Sequence, residues 1–368
     1  MTLSQIDVGQ PMALVAPPGF LKRLGDSLRR RGGTGARILY RTPCCAIAWG
    51  LVAITVSAAS PSEFQPPARV AAAKSAAAAS VPGNALAVTG ARVVAAGQRG
   101  VIVHSDDGKT WNQAEVPVGS DLTALTFPSE RQGWAVGHEG VVLHTSDGGT
   151  TWSKQLDGLK IAELLPDFVT QGIDKPLLDV WFGDDLKGYA VGAFGLILHT
   201  EDGGKTWQPW MDRVDGGGDM HLYAIRPAGG AVFVVGERGL VLKLDMQTQR
   251  FRRLELPYKG TLFGVVGTPR VVLAFGLRGN AFRSTDGGAS WSKVETGVSA
   301  GISAGVARAD GAIVLVTLAG QVLLSTDEGA VFRKVRAGLE VPAFAVAEAA
   351  DGALAIAGFG GVRVEKVK

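Results

Sequence analysis

A G-x-x-G turn recurs along this chain at roughly 40-residue intervals, a period typical of propeller repeats, and it restricts the fold more than any other feature. Short runs rich in β-formers flank each turn, for example LTALTF (122–127) and VVLHT (141–145). A sheet of three or four such strands can bury both faces only by stacking on neighbours, so seven copies predict an all-β, seven-bladed propeller. The closing glycines are Gly100, Gly140, Gly195, Gly239, Gly279, Gly320 and Gly361. We expect the inner strands near Leu86, Leu122, Leu178, Leu222, Leu262, Ile302 and Ala343.

A second repeat, S/T-x-D-x-G-x-T/S-W, follows the third strand of most units, as in HTSDGGTTW (144–152). Its Asp and hydroxyl oxygens suit the N–H groups of a tight turn, its glycine permits positive φ, and its indole can pack between sheets. In the first copy we assign Asp106, with His104 at the first position. This pattern predicts a structural Asp-box, formed by Asp106, Trp111, Asp147, Trp152, Asp202, Trp207, Asp286, Trp291, Asp327 and Phe332.

Chemistry-bearing residues are sparse. Each Asp-box offers fewer carboxylates than a calcium loop needs, and the histidines show no H-x-x-H spacing, so we predict neither metal nor cofactor. Sialidases share the Asp-box, but their early R-I-P signature has only the reordered AIRP (224–227) as a counterpart here. We therefore predict no catalytic residues and no enzyme. A carbohydrate-active enzyme is the alternative, and a purely structural envelope module is the second.

The N-terminal residues carry a targeting pattern. Seven basic residues before position 42 precede CAIAWGLVAITVSAAS (45–60), whose apolar core is roughly 14 residues, as in a signal h-region. Residues 1–60 therefore predict a cleaved signal peptide or a signal anchor, with the rest exported to the periplasm or the outer face of the inner membrane. Cys44 and Cys45 are the only cysteines, so the exported part contains no disulfide.

A Pro- and Ala-rich linker is expected at residues 61–83, and the propeller at 84–368. The last unit has room for three strands only. Because a ring closes best when no sheet edge stays open, we expect Gln65–Ala73 to donate the missing outer strand. The formal charge of +3 and the 19% content of charged residues give no indication of a nucleic-acid partner.

Longer phrases narrow the family. The chain resembles the photosystem II stability/assembly factor family, also called the plastid assembly-factor-like propeller family, over about residues 84–365. The stretches that carry the resemblance are GWAVGHEGVVLHTSDGGTTW (133–152), LLDVWFGDDLKGYAVGAFGLILHTEDGGKTW (177–207) and LRGNAFRSTDGGASW (277–291). The resemblance implies a non-enzymatic assembly chaperone, on the lumenal side in photosynthetic hosts, that holds a newly made subunit through an arginine-rich patch. It implies a protein client, a membrane or envelope protein, and no small-molecule substrate.

Propeller connectivity places the G-x-x-G turns on the face opposite the Asp-boxes, and an insertion, Leu156–Pro176, joins two blades on that same face. Apolar residues at helical spacing in the insertion predict a short amphipathic helix. We expect a partner-binding face there, and its candidate residues are Arg99, His138, Glu139, Phe194, Arg226, Glu237, Arg238, Arg278, Leu164, Leu165 and Phe168.

Overall fold

Seven antiparallel sheets follow one another along the chain in the computed structural model, which describes residues 64–166, 175–216, 218–336 and 341–366. The expected signal segment, both cysteines and Phe168 lie outside the described residues. Residues Glu63–Lys368 form one compact unit. Within every sheet, consecutive strands are neighbours, so each sheet is a simple up-and-down blade. The predicted seven-bladed propeller is confirmed.

The strands of the first four blades run from the inner to the outer edge as follows. Blade 1 has β1 (Gly83–Thr89), β2 (Arg92–Gly97), β3 (Ile102–Ser105) and β4 (Asn112–Gln113); blade 2 has β5 (Leu122–Thr126), β6 (Gly133–Gly137), β7 (Val142–Thr145) and β8 (Ser153–Leu156). Blade 3 has β9 (Leu177–Phe182), β10 (Gly188–Gly192), β11 (Ile197–Thr200) and β12 (Gln208–Pro209); blade 4 has β13 (Leu222–Ala228), β14 (Ala231–Gly236), β15 (Val241–Asp245) and β16 (Arg250–Leu254).

The remaining blades follow the same plan. Blade 5 has β17 (Leu262–Thr268), β18 (Val271–Gly276), β19 (Ala281–Ser284) and β20 (Ser292–Val294); blade 6 has β21 (Ile302–Ala307), β22 (Ile313–Thr317), β23 (Val322–Ser325) and β24 (Arg333–Arg336); blade 7 has β25 (Ala343–Glu348), β26 (Leu354–Gly358) and β27 (Gly361–Glu365). The α-helix α1 spans Gly158–Leu164. Short 3-10 turns lie at Pro67–Arg69, Ala78–Ser80, Met211–Arg213, Gln98–Gly100, His138–Gly140, Ala193–Gly195, Glu237–Gly239 and Leu277–Gly279.

The inner strands occupy the predicted positions, and each departs from regular pairing near its start. In all seven blades the register shifts between the first and third residues of the inner strand, so the second residue is a bulge. These seven bulge residues line a central channel of about 410 Å³. They are Asn84, Thr123, Leu178, Tyr223, Phe263, Ser303 and Phe344.

Blade 7 has three strands within the described residues, and the expectation that Gln65–Ala73 supplies a fourth is wrong. That segment is held elsewhere, because Gly119 N–H donates to the Pro67 carbonyl and Ala72 N–H donates to the Val116 carbonyl. Blade 7 instead packs face to face on blade 1, where Trp111 contacts the clusters that contain Ala95 and Ala355. Ring closure in the described chain therefore depends on side-chain packing between sheets.

The Asp-box of blade 2 shows how the repeated turn is built. Asp147 Oδ1 accepts from the N–H groups of Thr150 and Thr151, and the Thr151 hydroxyl donates to Oδ2 over 2.6 Å. Thr145 donates its hydroxyl to Asp147 and accepts from Gly149 N–H. Trp152 is 6% exposed within a cluster drawn from blades 1 and 2. The carboxylate is thus saturated by its own turn, and the indole joins adjacent sheets.

The first Asp-box uses a different aspartate from the one assigned from the sequence. Asp107, not Asp106, accepts from the Lys109 and Thr110 N–H groups and from the Ser105 hydroxyl. Ser105 and Thr145 occupy equivalent positions, because each pairs with a residue at the start of the second strand of its blade. The loop from Ser105 to Trp111 is therefore one residue shorter than the corresponding loop from Thr145 to Trp152. Asp106 is free to pair with Arg92 at 2.6 Å.

At six of the seven closing glycines a Cβ would meet a neighbouring stretch of chain. Gly239 has φ +71°, and a Cβ built there would lie 1.9 Å from the Tyr258 carbonyl oxygen on the join to the next blade. At Gly140 the corresponding clash is with Ile161 of α1. The spacing of the glycines therefore records where each inter-blade join passes over the preceding turn.

Candidate partner-binding face

Strand direction divides the connections between the two ends of the sheets. The second-to-third-strand turns and the inter-blade joins lie at one end, which we name the turn face. The Asp-boxes and the first-to-second-strand turns lie at the other, the Asp-box face. The turn face thus contains the seven turns 97–100, 137–140, 192–195, 236–239, 276–279, 317–320 and 358–361, together with α1.

In five turns of this face, a residue other than glycine has a left-handed backbone conformation. The residue before the closing glycine has φ between 54° and 58° in five blades. A left-handed conformation costs roughly 1–2 kcal/mol for a residue with a Cβ, and such strain is concentrated at functional sites. Glycine would remove this cost, yet the five positions carry Arg99, Glu139, Phe194, Arg238 and Arg278. All five are among the site residues predicted from the sequence, and Arg99, Arg238 and Arg278 are exposed.

Phe194 is fixed by a small network between blades 3 and 4. Its N–H donates to His221 Nδ1 over 3.0 Å, and the His221 N–H donates to Glu237, 2.9 Å away. The ring is 40% exposed, and the Lys175 amine lies 4.3 Å from its centroid. A cavity of about 280 Å³, lined by Ile197, Met211, Leu222 and Leu240 among others, opens beside it.

A segment of the chain itself lies on the turn face beside blade 2. The N–H of Ala68 donates to Glu139 Oε2 over 3.2 Å, and the Lys154 amine donates to the Ala68 carbonyl over 2.8 Å. Ala68 is 6% exposed. Glu139 also accepts from the Ser120 hydroxyl. A carboxylate and an amine on one blade therefore hold both backbone polar groups of a buried residue from a distant segment.

Blade 4 contains the equivalent positions with different charges. In the blade 4 turn, Arg238 occupies the position that Glu139 has in blade 2. Arg253 corresponds to Lys154, because each lies on the outer strand opposite the residue three positions after the closing glycine of its blade. A cavity of about 450 Å³ opens between them, bordered also by Glu255 and Lys259. Within the described chain, neither arginine has a carboxylate within ion-pair distance. The two positions that hold Ala68 at blade 2 are therefore both donors here, Glu255 lies at the border, and the seat is open.

The insertion forms the expected helix over its first part. Asp157 caps α1 by accepting from the Lys160 N–H, and Ile161 is 1% exposed against the blade 2 turn. Leu164 is exposed, whereas Leu165 is half-buried and packs on the cluster between blades 2 and 3. Phe168 lies outside the described residues. His138, the second residue of its turn, is half-buried, and its N–H donates to the Asp121 carbonyl.

Arg226 does not belong to the turn face, contrary to the sequence-based assignment. It lies on inner strand β13, near the middle of the channel, and its Nη1 is 2.6 Å from Asp179 Oδ2. Asp179 also accepts from the Ile225 N–H, over 2.7 Å. Burial raises the pKa of Asp179, while the charge of Arg226 opposes that effect. Among the described residues that line the channel, Asp179 is the single acidic one. The described channel therefore holds no pair of carboxylates like the pair that glycosidases use.

Sequence reasoning missed an apolar part of the turn face. Leu277, Leu318 and Phe359 are the second residues of the turns in blades 5, 6 and 7, and they are 38%, 41% and 66% exposed. The sequence signal is in GLRG, TLAG and GFGG, where the second position carries a large apolar residue in place of the Gln, His, Ala or Glu of the other turns.

The histidines next to the Asp-boxes pack within blades. His144 Nε2 contacts Gln132 Oε1 at 2.8 Å, and His199 lies between the rings of Tyr189 and Trp210. Burial lowers the pKa of both imidazoles. No group of three or more potential metal ligands occurs among the described residues. In that same portion of the chain, no helix has the length and apolar character needed to cross a membrane.

The fold and the turn face define an Asp-box propeller with a strained, arginine-bearing surface. A model of the family described as photosynthesis system II assembly factor YCF48 matches residues 103–165 and 166–350, together more than half of the chain. The protein therefore belongs to that family, as the sequence resemblance predicts.

Known proteins similar to this chain fall into two groups. The photosystem II assembly lipoprotein Ycf48 of Synechococcus sp. (strain CC9902) is 30% identical over 118 residues, which are 31% of this chain and 35% of that protein. The alignment thus spans about a third of this relative. A solved structure of YCF48 bound to D1 peptide has a TM-score of 0.62 at 18% identity, over 78% of this chain and 94% of that one. Streptogramin B lyase has a TM-score of 0.64 at 12% identity, over 81% and 97%. These structural likenesses show the propeller fold alone, which an enzyme and an assembly factor share.

Proposed function

We propose that this protein is a non-enzymatic assembly scaffold that holds a segment of a membrane or envelope protein on its turn face. Membership of the YCF48 family supports the assembly role. The D1 peptide bound to the structurally similar YCF48 supports a protein client. The described chain adds a seat with the geometry to take such a segment.

The observation that carries the proposal is the occupied seat at blade 2. There, the chain's own Ala68 is held by Glu139 and Lys154 through its backbone N–H and carbonyl. At blade 2 the held residue lies in the 3-10 turn Pro67–Arg69. A surface that binds the backbone of one segment this way can hold another segment at the equivalent open position. This contact within the molecule supports the same mode of binding for a client segment.

The charges at blade 4 select the client's chemistry. Arg238 and Arg253 are donors only, whereas the blade 2 pair supplies one acceptor and one donor. The blade 4 seat therefore fits a segment that presents two acceptors, such as a carbonyl and a carboxylate. Guanidinium groups bind carboxylates through short, charge-assisted hydrogen bonds.

The test is a direct binding measurement with a synthetic D1 peptide as the probe and a scrambled peptide as its control. We expect the Arg238→Glu/Arg253→Glu variant to bind roughly tenfold more weakly or worse, because both donors become repulsive. Arg131→Glu changes an exposed arginine on the Asp-box face and should leave affinity within about twofold. Equal binding by both variants, or no binding by the parent protein, contradicts the proposal.

We also propose that the propeller acts outside the cytoplasm. The basic and apolar pattern of residues 1–60 supports export. The lipoprotein name of the Synechococcus relative is consistent with this location. A fusion of alkaline phosphatase after Lys368 tests it, because that enzyme requires an oxidising compartment for activity. An inactive fusion present at normal abundance rejects export.

A further inference from the structure

Exposed large apolar side chains are unevenly distributed between the two faces. Among the described residues, three belong to connections of the Asp-box face: Leu186, Met246 and Val331. Seven belong to the turn face: Val70, Leu159, Leu164, Phe194, Leu277, Leu318 and Phe359. Phe64 lies at the start of the described chain. The asymmetry marks the turn face as a surface that contacts something apolar.

Three of these side chains form a continuous series on adjacent blades. Leu277, Leu318 and Phe359 occupy the same position in consecutive turns, so the repeat places them at the same level of the face. The apolar surface continues inward, because Leu318 and Phe263 both approach Gly301 within 3.4 Å of its built Cβ. We name Leu277, Leu318 and Phe359 the apolar arc.

Exposed arginines border the apolar arc at both ends. Arg278 is the third residue of the blade 5 turn, and Arg99 occupies the equivalent position in blade 1, which follows blade 7 around the ring. Apolar tips flanked by guanidinium groups are the composition of surfaces that bind the interface of an anionic bilayer. An extended peptide would follow a single groove. The exposed side chains of three adjacent blades are instead contacted together by a broad surface such as a bilayer.

We propose that the apolar arc docks the propeller onto a phospholipid bilayer with anionic headgroups. Leu277, Leu318 and Phe359 enter the acyl boundary, and Arg99 and Arg278 contact the lipid phosphates. Phe359 is the most exposed of the three and enters deepest. This docking goes beyond client binding, because it uses blades 5, 6, 7 and 1, whereas the client seat lies on blade 4.

A pair of probe positions tests the orientation. In the full-length chain with Cys44→Ser and Cys45→Ser, a single cysteine replaces either Phe359 or Met246 and carries an environment-sensitive fluorophore. The two positions are 66% and 68% exposed on opposite faces, so they are matched in accessibility. On vesicles containing phosphatidylglycerol we expect a several-fold rise and a blue shift at position 359 and no change at 246.

Second-site variants separate the forces. Leu277→Ser/Leu318→Ser should lower vesicle affinity, reported by the probe at 359, roughly tenfold, since two apolar side chains no longer leave water. Arg99→Glu/Arg278→Glu should abolish the difference between vesicles with phosphatidylglycerol and those with phosphatidylcholine alone. A chain that binds vesicles with no response at 359, or with an equal response at 246, overturns the proposal.

The outcome is independent of the client test. If the probe at 359 responds to D1 peptide but not to vesicles, the apolar arc is a protein site and lipid docking is rejected while client binding stands. If vesicles give the response and the peptide binds nowhere, the scaffold proposal fails and docking stands.

Discussion

The Ala68 N–H donates a hydrogen bond to the Glu139 carboxylate across 71 positions of sequence. Glu139 is one of the five left-handed turn residues, so a strained side chain of the turn face holds a distant backbone group. The same geometric position carries arginine in three other blades. The repeat thus supplies a constant frame, and the residue before each closing glycine decides what that blade can hold.

Removing the two polar contacts to Ala68 should free the segment. We expect Glu139→Ala/Lys154→Ala to speed tryptic cleavage after the exposed Arg69 roughly tenfold or more, because two charge-assisted hydrogen bonds no longer oppose local opening. Limited proteolysis followed by mass spectrometry measures the rate. Glu237→Ala, which removes a turn carboxylate away from this segment, is the control and should leave the rate unchanged.

The first Asp-box allows the corrected assignment to be tested with two adjacent aspartates. Asp107→Ala should lower the thermal midpoint more than Asp106→Ala, because Asp107 accepts from two N–H groups and two hydroxyls of its turn. Asp106 makes only a surface ion pair with Arg92, and such pairs contribute little. Differential scanning calorimetry decides between them, and an equal or larger loss in Asp106→Ala would restore the assignment made from the sequence.

The Asp-boxes also predict an acid limit to stability. The Ser290 hydroxyl, then the Ser290 N–H and the Ser284 hydroxyl, hold the pKa of Asp286 well below its usual range, and the pKa of Asp327 is lowered in the same direction. A carboxyl with a lowered folded-state pKa stabilises the fold above its unfolded pKa of about 4, and that contribution disappears as pH falls further. The urea midpoint should therefore decline below about pH 4.

Asp286→Asn provides the control for this pH dependence. The amide cannot titrate, so the variant should be less stable at neutral pH and should lose less stability between neutral and acid conditions than the parent. Urea titrations followed by tryptophan fluorescence at a series of pH values measure both. Parallel pH profiles for the two proteins would show that Asp286 does not take part.

Repetition explains which features could be read from the sequence. The glycine spacing predicts the blade number and the inner strands, because neighbouring chain leaves little room for a Cβ at six of the seven closing positions. The failures lie where the repeat is broken. The first loop is one residue shorter than the others, so the motif aligned by sequence points wrongly to Asp106. Arg226 is close in sequence to the blade 4 turn, but it lies on an inner strand that faces the channel. The course of Gln65–Ala73 depends on contacts with Glu139 and Lys154 that no periodic pattern records.

The pair of Asp179 and Arg226 should affect stability and leave the turn face intact. Arg226→Ala leaves a buried carboxylate without its cation, and we expect a loss of about 2 kcal/mol in the free energy of unfolding, given that Arg226 is partly exposed. Adding Asp179→Asn should recover part of that loss. Urea denaturation measures both, and D1-peptide affinity should stay within about twofold of the parent. A large loss of peptide affinity would return Arg226 to the client site.

Strain at the turn face predicts opposing effects on stability and binding. Arg238 has φ +54°, and glycine adopts this conformation without the cost of roughly 1–2 kcal/mol borne by other residues, although glycine also has more entropy to lose on folding. Arg238→Gly should therefore raise the free energy of unfolding by about 0.5 kcal/mol. Arg238→Ala keeps the strain and should not, while both variants should weaken D1-peptide binding alike. Urea denaturation and peptide titration of the two proteins measure these effects. If the glycine variant is no more stable than the alanine variant, the left-handed conformation at position 238 does not lower the stability of the fold, and the proposed strain is rejected.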